Sequence, residues 1–239
     1  MIAAILCGGE GTRLRPLTYA VPKPLLPLGS KPILEVTISR MKEQGFNTFY
    51  LMVNYKADMI SSYFGTGLNF GVDIRYIQEK TKRGTAGPLA DLCDLVDQPF
   101  VAMNADLLTN IDFVNMMKFH KKQDSDLTVA LKRFDRKVAF GVVEVDSDSI
   151  VKSLQEKPTV SFLINSGIYI VNPEILHSIP KDTLYNMTDL INDSVKAGKS
   201  VQGYQFTEPW RDIGRLDDYM KVISDIENGL ESDTDGVFI

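Results

Sequence analysis

The sequence predicts an α/β fold: a Rossmann-like, doubly wound mixed sheet that carries a β-rich insert. Two observations predict this fold. Through the first 125 residues, short apolar runs alternate with amphipathic patterns of helical period, which is the rhythm of βαβ units. From Asp126 onward, strand-like segments follow one another with little helix between them. A chain of 239 residues, 44% of them hydrophobic, can bury one core, so we expect a single domain over 1–239.

The first element is the apolar run Ile2–Leu6, which we predict to be a buried strand because it has no polar face. The next stretch, 8–11, holds three glycines, so its backbone N–H groups can turn toward an anion. Arg13 and Lys23 add a bidentate cation and a point cation at the same strand end. This combination predicts a polyphosphate site. A tight βα connection without a ligand is the structural alternative.

Two common phosphate-binding motifs do not match this loop. A Walker A loop requires Gly-Lys-Ser or Gly-Lys-Thr after its first glycine and four spacers, and the sequence contains no such string. The dinucleotide fingerprint requires a third glycine where Leu14 stands. The loop therefore belongs to another class of phosphate site.

The elements of the first half follow in the order expected of parallel strands in a doubly wound sheet. A helix opens at Pro32, presents an apolar stripe at i, i+4 and i+7, and ends at Gly45. The other predicted elements are a strand over 48–53, a helix over 56–63, a strand over 72–77, a helix beginning in the turn 83–89, a strand over 99–103 and a helix over 113–121.

Asp106 closes the central strand of this half. A carboxylate at the end of a buried strand is costly unless it is solvated, paired or bound to a cation. Helix capping is the alternative role, but Asp112 is the better cap because it stands directly before the helix over 113–121. Asp106 is therefore a candidate cation ligand.

The second half begins with predicted strands over 127–132, 141–145, 150–154 and 167–171. Helical patterns follow over 173–177 and 188–197, with Thr188 as the expected cap and Gly198 as the stop. A strand over 201–206 and a final helix complete the pattern. The acidic tail 227–239 is either a frayed end or a segment whose apolar terminus packs on a neighbour.

Composition and charge exclude several classes of function. The formal net charge of −5 argues against non-specific nucleic-acid binding, and no apolar run approaches the roughly 18 residues of a membrane span. The chain passes from Met1 into a strand without a basic leader, so we expect a cytoplasmic protein. Cys7 and Cys93 are expected to be reduced thiols in apolar surroundings, and the two histidines lie outside every motif.

The string GGEGTRLRPLT at 8–18, followed by PKPLLPL at 22–28, resembles the signature of the sugar-1-phosphate nucleotidyltransferases. Further motifs occur in that family's order: Gly-Thr-Ala-Gly at 84–87, FGVVE at 140–144, Glu-Lys-Pro at 156–158, Asn-Ser-Gly at 165–167 and Trp-Arg-Asp-Ile-Gly at 210–214. The resemblance extends from Ala3 to about Asp225. One departure is Leu216, where the family usually has proline.

This resemblance implies the nucleotide-diphospho-sugar transferase fold, with nucleotide-binding (1–125), sugar-phosphate-binding (126–172) and closing (173–239) parts. It implies catalytic roles for Arg13, Lys23 and Lys157. The implied nucleotide contacts are Leu6, Gly8, Gly9, Gly11, Thr12, Gln78, Gly84 and Thr85. The implied sugar-phosphate contacts are Asn104, Gly141, Glu156, Lys157 and Asn165. The implied cofactor is Mg²⁺, held by Asp106 and Asp212.

The implied reaction converts an NTP and a sugar 1-phosphate into an NDP-sugar and pyrophosphate. The motifs look most like those of guanylyltransferases of the mannose-1-phosphate type, without CBS or left-handed β-helix domains in this sequence. GTP is therefore favoured, while UTP, dTTP and CTP stay open, as do the sugar and homodimer formation. The rival interpretations are a non-catalytic nucleotide-sugar-binding regulator and transfer to a non-sugar phosphate such as phosphocholine.

Overall fold

The computed structural model describes residues 1–227. Its strands are β1 (Ile2–Leu6), β2 (Pro27–Leu28), β3 (Lys31–Pro32), β4 (Thr48–Val53), β5 (Asp73–Gln78), β6 (Phe100–Asn104), β7 (Leu107–Thr109), β8 (Leu127–Lys137), β9 (Val142–Val145), β10 (Val151–Gln155), β11 (Thr159–Val171), β12 (Val201–Phe206) and β13 (Trp210–Asp212). Its α-helices are α1 (Leu17–Ala20), α2 (Ile33–Glu43), α3 (Ala57–Phe64), α4 (Phe113–Lys122), α5 (Met187–Lys196) and α6 (Leu216–Glu227).

Seven strands form one mixed sheet in the order β12-β8-β11-β6-β1-β4-β5. Strand β1 is parallel to β4 and β6, and β4 is parallel to β5. Strand β11 runs antiparallel between β6 and β8, and β12 is parallel to β8. The carboxyl ends of β1, β4, β5 and β6 therefore share one edge, which is where parallel sheets bind ligands. The predicted mixed, doubly wound α/β fold is confirmed.

Apolar side chains cover both faces of the sheet because the strands at its centre are buried on both sides. One cluster contains Ile5, Phe49 and Met103, and the other contains Ala4, Tyr50 and Ala102. A third cluster joins the glycine loop to α6 through residues that include Leu14 and Tyr219. That cluster fixes the loop after β1 against the end of the described chain.

Two predicted helices are 3-10 helices instead: Gly87–Leu92 and Pro173–Ser178. In the first, the N–H groups of Ala86 and Gly87 both donate to the Tyr185 carbonyl, at 3.0 and 2.9 Å. Because these two N–H groups bond to a distant carbonyl, the segment forms a turn here instead of an α-helix. Pro88, in the first turn of the 3-10 helix, also has no N–H to donate.

The predicted Thr188 cap is wrong. Asn186 caps α5, and it forms a capping box with Asp189, whose carboxylate accepts from the Asn186 N–H at 2.8 Å. Asp112 caps α4 as predicted, and its carboxylate accepts from the Asn115 N–H at 2.8 Å. The helix therefore begins after Asn186, and Thr188 lies within its first turn instead of capping it.

Strand β11 begins at Thr159 rather than at 167, because it continues the ladder along the whole of β8 out to Lys137. We call the distal part of this pair, residues 133–137 and 159–163, the outer ribbon. Strands β9 and β10 form a separate antiparallel pair, which we call the hairpin ribbon. Both ribbons project from the sheet with mostly exposed residues. They form the predicted β-rich insert.

Within residues 1–227, none of the helices has the length and apolar character that a bilayer crossing requires. The residues at 228–239, which include most of the acidic tail, lie outside the described part of the chain.

Candidate active site

A cavity of about 350 Å³ opens where β1, β5 and β6 end. It is lined by seven of the predicted contacts: Leu6, Gly8, Gly9, Gly84, Thr85, Asn104 and Asp106. It is also lined by residues that the sequence did not single out, among them Glu10, Glu79, Lys82, Arg83 and Leu184. The cavity therefore lies at the edge of the sheet predicted from the strand order.

Gly11 and Thr12 shape the loop and do not line this cavity. Gly11 has φ +62, a conformation that favours glycine, and a Cβ there would lie 2.8 Å from the Thr18 side chain. Its carbonyl accepts from the Leu14 N–H at 2.9 Å and from the Thr18 hydroxyl at 2.8 Å. Gly11 thus turns the chain into the 3-10 helix that presents Arg13.

Gln78, one of the nucleotide contacts implied by the resemblance, is exposed and lies outside the cavity lining, whereas Glu79 is buried within it. Successive residues of an extended chain point to opposite sides, and Glu79 continues the ladder by donating its N–H to Val53. A Cβ on Gly8 would lie 2.7 Å from Glu79 Oε2. The polar residue facing the glycine loop is therefore the one after Gln78. Local alternation separates these two residues, but the sequence alone does not show which of them faces the cavity.

Glu79 is held in place by the turn that follows it. Its Oε1 accepts from the Arg83 N–H at 3.2 Å, and Arg83 in turn forms an ion pair with Asp91. Burial raises the pKa of Glu79, and the Arg83 N–H and charge oppose that rise. The carboxylate is thus a rigid acceptor in a partly desolvated cavity.

Gly84 and Thr85 connect the cavity to α5. The Thr85 hydroxyl accepts from the Met187 N–H at 2.9 Å, and the Thr85 N–H donates to Asn186 Oδ1 at 3.4 Å. The Thr85 side chain is therefore committed to the start of α5. Its backbone and that of Gly84 are left to face the cavity.

A charged cluster lies beside the cavity. Lys23 is buried and forms an ion pair with Asp106 through Oδ2, while Asp106 Oδ1 is buried with no hydrogen-bond partner in residues 1–227. The Asp106 carbonyl accepts from the Ile213 N–H at 2.9 Å, and β13 pairs with β7 so that Asp212 lies opposite Leu107. This pairing brings Asp212 next to Asp106.

Arg13 approaches the same cluster. A Cβ on Gly214 would lie 3.2 Å from Asp212 Oδ1 and 3.4 Å from Arg13 Nη2, so the two side chains flank Gly214. Partial burial and then the Asp106 charge raise the pKa of Asp212, and the charges of Lys23 and Arg13 lower it. Two carboxylates and two cations therefore act on one another beside the cavity, and Asp106 is the one of the four that lines it.

The carboxylate pair fits a hard divalent cation. Asp106 Oδ1 is a buried acceptor without a donor, which is costly unless a cation or water is bound there. Residues 1–227 contain no cluster of three or more acidic, His or Cys ligands. Mg²⁺ suits a site of this kind, because it commonly binds one or two carboxylates and completes its shell with water and phosphate oxygens.

The predicted sugar-phosphate residues divide into two groups. Asn104 Nδ2 lies 2.7 Å from where a Cβ on Gly167 would stand, and Asn165 Oδ1 accepts from the Gly167 N–H at 2.9 Å. Asn165 also lines a second cavity of about 380 Å³ beside Thr188 of α5. These two asparagines thus lie on the side of the site nearest β11.

Gly141, Glu156 and Lys157 form the other group, in the insert. Lys157 has φ +47 in the turn after β10, and its ion pair with Glu156, at 3.7 Å, is its only one within residues 1–227. A Cβ on Gly141 would lie 3.1 Å from Glu156 Oε2. The structure therefore brings these three residues together, but no described contact joins them to Arg13, Asp106 or Asp212.

Comparison with known proteins gives a consistent result. A family model described as Nucleotidyl transferase matches residues 2–229. The UTP–glucose-1-phosphate uridylyltransferase of Synechocystis sp. is 33% identical over 242 residues, covering 93% of this chain and 62% of that protein. The mannose-1-phosphate guanylyltransferase of Mycobacterium tuberculosis is 31% identical over 235 residues, covering 95% and 65%. This chain thus spans just under two thirds of the length of these relatives.

Solved structures of similar length to this chain show the same architecture. The crystal structure of HddC from Yersinia pseudotuberculosis aligns with a TM-score of 0.74 and 27% identity, covering 94% of this chain and 99% of that one. HddC has also been solved in complex with GMP-PN. Taken with the family match over almost the whole sequence, these similarities show that the chain belongs to the nucleotidyl transferase family.

Proposed function

We propose that this protein transfers a nucleotidyl group from GTP to a sugar 1-phosphate, releasing an NDP-sugar and pyrophosphate. The observation that carries the proposal is the cluster of Arg13, Lys23, Asp106 and Asp212 beside the glycine-loop cavity. The guanylyl- and uridylyltransferase names of the relatives support the reaction class.

The main obstacle to this reaction is repulsion between two anionic reactants. A sugar phosphate is already ionised at neutral pH, so it attacks the α-phosphorus in line without a general base. Arg13 would hold the triphosphate and offset the charge that grows on the departing pyrophosphate, and Lys23 would hold Asp106 in position and add positive charge. Mg²⁺ on Asp106 and Asp212 would neutralise phosphate charge when bound.

The insert would hold the nucleophile. The side chains of Lys157 and its partner Glu156 are both more than half exposed, so the Lys157 ammonium is available to a phosphate. Asn104 and Asn165, which both lie beside Gly167, would supply amide groups to sugar hydroxyls on the other side of the site. These roles place the sugar 1-phosphate between the insert and the end of β6.

Glu79 favours guanine over the other bases. The Watson–Crick edge of guanine presents an N1–H and an adjacent amino group, and one carboxylate can accept from both. Uracil and thymine present a single N–H between two carbonyl oxygens, which a carboxylate repels. Glu79 is buried in the cavity with Oε1 held by Arg83 and Oε2 near Gly8, so a base without matching donors would leave Oε2 desolvated and without a donor from the ligand. The solved complex of HddC with GMP-PN also favours GTP.

Pyrophosphate release tests the reaction and the nucleotide together. We expect turnover with a panel of sugar 1-phosphates to be fastest with GTP. Glu79→Gln should lower kcat/KM for GTP by about tenfold to a hundredfold, because hydrogen bonds to a charged acceptor contribute about 1.5–3 kcal/mol. Activity with UTP should fall less.

Gln78→Ala is the matched control, since Gln78 is exposed beside Glu79 and should leave the nucleotide preference unchanged. Wild-type preference for UTP or dTTP would contradict the assignment of guanine. GTP binding without pyrophosphate release, across the whole sugar panel, would instead identify a nucleotide-binding regulator.

A further inference from the structure

An ion pair joins two walls of the nucleotide cavity. Glu10 belongs to the glycine loop and Lys82 to the turn that follows β5, and both residues line the cavity. The Lys82 ammonium is paired with the Glu10 carboxylate, although the two residues are 72 positions apart in the sequence. The glycine loop and the turn are therefore connected at the cavity by a contact between charged side chains.

The turn after β5 runs alongside the glycine loop. At its start, Glu79 Oε2 lies 2.7 Å from where a Cβ on Gly8 would stand. Further along the turn, Lys82 meets the glycine loop at Glu10. From there the loop continues toward Arg13, the residue proposed to hold the triphosphate. Since Glu79 is assigned to the base, Lys82 lies toward the end of the loop that is assigned to phosphate.

Glu10 places a negative charge in a loop whose backbone is suited to anions. A carboxylate there repels a triphosphate unless cations neutralise it. Two cations do so: Lys82, and Arg15, whose Nη2 lies 3.5 Å from Glu10 Oε2. The Lys82 hydrogen bond and charge, with a smaller contribution from Arg15, hold the pKa of Glu10 below its usual range. The carboxylate is therefore ionised at neutral pH and occupies an ammonium that a phosphate could bind.

This ion pair is exposed enough to exchange partners. The side chains of Lys82, Arg15 and Glu10 are 63%, 41% and 31% exposed. Exposed pairs contribute little to stability, because water competes for both partners. A triphosphate carries several negative charges and offers lysine charge-assisted hydrogen bonds. A bound triphosphate can therefore displace Glu10 from Lys82, while Arg15 keeps Glu10 paired.

We propose that Lys82 is a further residue that binds the outer phosphates of the nucleotide, and that Glu10 competes with those phosphates for it. Glu10 holds the ammonium in the free protein, the triphosphate takes it on binding, and the pair forms again once pyrophosphate has left. The paired state lowers the apparent affinity for the triphosphate, because only unpaired molecules offer Lys82 to it. The role assigned to Lys82 rests on the proposed nucleotide site.

Equilibrium binding of GTP and of GMP, with Mg²⁺ and without a sugar phosphate, tests the contact. Lys82→Gln should weaken GTP binding by about tenfold, the lower end of what a hydrogen bond between charged groups contributes. It should leave GMP binding nearly unchanged, since GMP lacks the outer phosphates. Lys80→Gln is the matched control, because Lys80 is an exposed lysine of the same turn outside the cavity lining. If another triphosphate binds better, the same comparison applies with its monophosphate.

A second substitution tests the competition. Glu10→Gln should tighten GTP binding by about twofold to fivefold, since it removes an exposed ion pair that holds Lys82 in the free protein. In the Lys82→Gln background the same substitution should tighten binding much less, because no ammonium is left to compete for.

Four outcomes would overturn the proposal. If Lys82→Gln binds GTP as well as Lys80→Gln does, Lys82 holds no phosphate, although the nucleotide site itself stands. If Lys82→Gln weakens GMP as much as GTP, its role is structural. If Glu10→Gln acts equally with and without Lys82, Glu10 only repels the nucleotide and the competition is wrong. If the wild type binds none of the four triphosphates, the proposed function fails as well.

Discussion

Asp106 is the residue on which the proposed chemistry depends most. One of its oxygens is paired with Lys23 and the other is buried without a partner. One oxygen of such a carboxylate is paired with a cation of the protein, and the second is left to bind a cation that is added. The charge cluster is therefore incomplete in the protein alone, as expected of a site that binds metal and phosphate together.

Arg13→Ala should lower kcat for pyrophosphate release by about a hundredfold or more, the scale seen when one charge-stabilising donor is removed. Arg15→Ala provides a control of equal charge two residues away. Arg15 forms an ion pair with Glu10, whereas Arg13 faces Asp212 across Gly214. Equal losses in the two variants would mean that only the overall charge of the loop matters.

At the scale of elements, α4 is packed on β8 through a buried polar contact. His120 is 2% exposed, and its Nδ1 lies 2.8 Å from the Thr128 hydroxyl. Burial, and next the nearby Lys121 charge, lower the pKa of His120. The folded protein therefore binds a proton at this position less readily than the unfolded chain does.

Stability should accordingly fall as the pH drops below about 6.5, the ordinary pKa of histidine, because the unfolded state then gains protons that the native state resists. Urea denaturation at pH 7.5 and 5.5 measures this loss. His120→Gln should reduce the loss, and His177→Gln, at an exposed position, should not. A wild-type loss that is unchanged by His120→Gln would assign it to other groups.

An element can be predicted from local sequence when its own residues, rather than contacts with distant segments, determine its structure. Strands β1 and β4 match their predicted bounds, because a short apolar run between turn residues has few alternatives. The 3-10 turn at Gly87–Leu92 could not be predicted, since it depends on the Tyr185 carbonyl from a distant segment. Glu79 was missed for a related reason: alternation gives two faces, and only the fold decides which one meets the ligand.

At the scale of the molecule, the charged cluster unites segments that are far apart in sequence. Lys23 begins the 3-10 helix Lys23–Leu25 before β2, Asp106 follows β6, and Asp212 ends β13. The sheet order places β6 beside β1, so that the first two of these segments meet. A ligand that bridges them should therefore stabilise the whole domain rather than one loop.

Mg²⁺ with GTP at about 100 times its Kd should raise the free energy of unfolding by about 2.7 kcal/mol. For a domain of this size, that corresponds to about 5–10 °C in melting temperature. Asp212→Asn should lose much of this shift while keeping the smaller shift that GTP produces in EDTA. Absence of any shift with GTP, UTP, dTTP and CTP would contradict the nucleotide site as a whole.

The short pairing of β7 with β13 has a consequence for how this protein can evolve. Asp212 faces Leu107 across that pairing, so a slip of a single residue would turn its carboxylate away from Asp106. The length of the connection 207–209, which joins β12 to β13, therefore determines where Asp212 lies relative to Asp106. An insertion here would separate the two carboxylates while leaving the seven-stranded sheet undisturbed, because β7 and β13 form a sheet of their own.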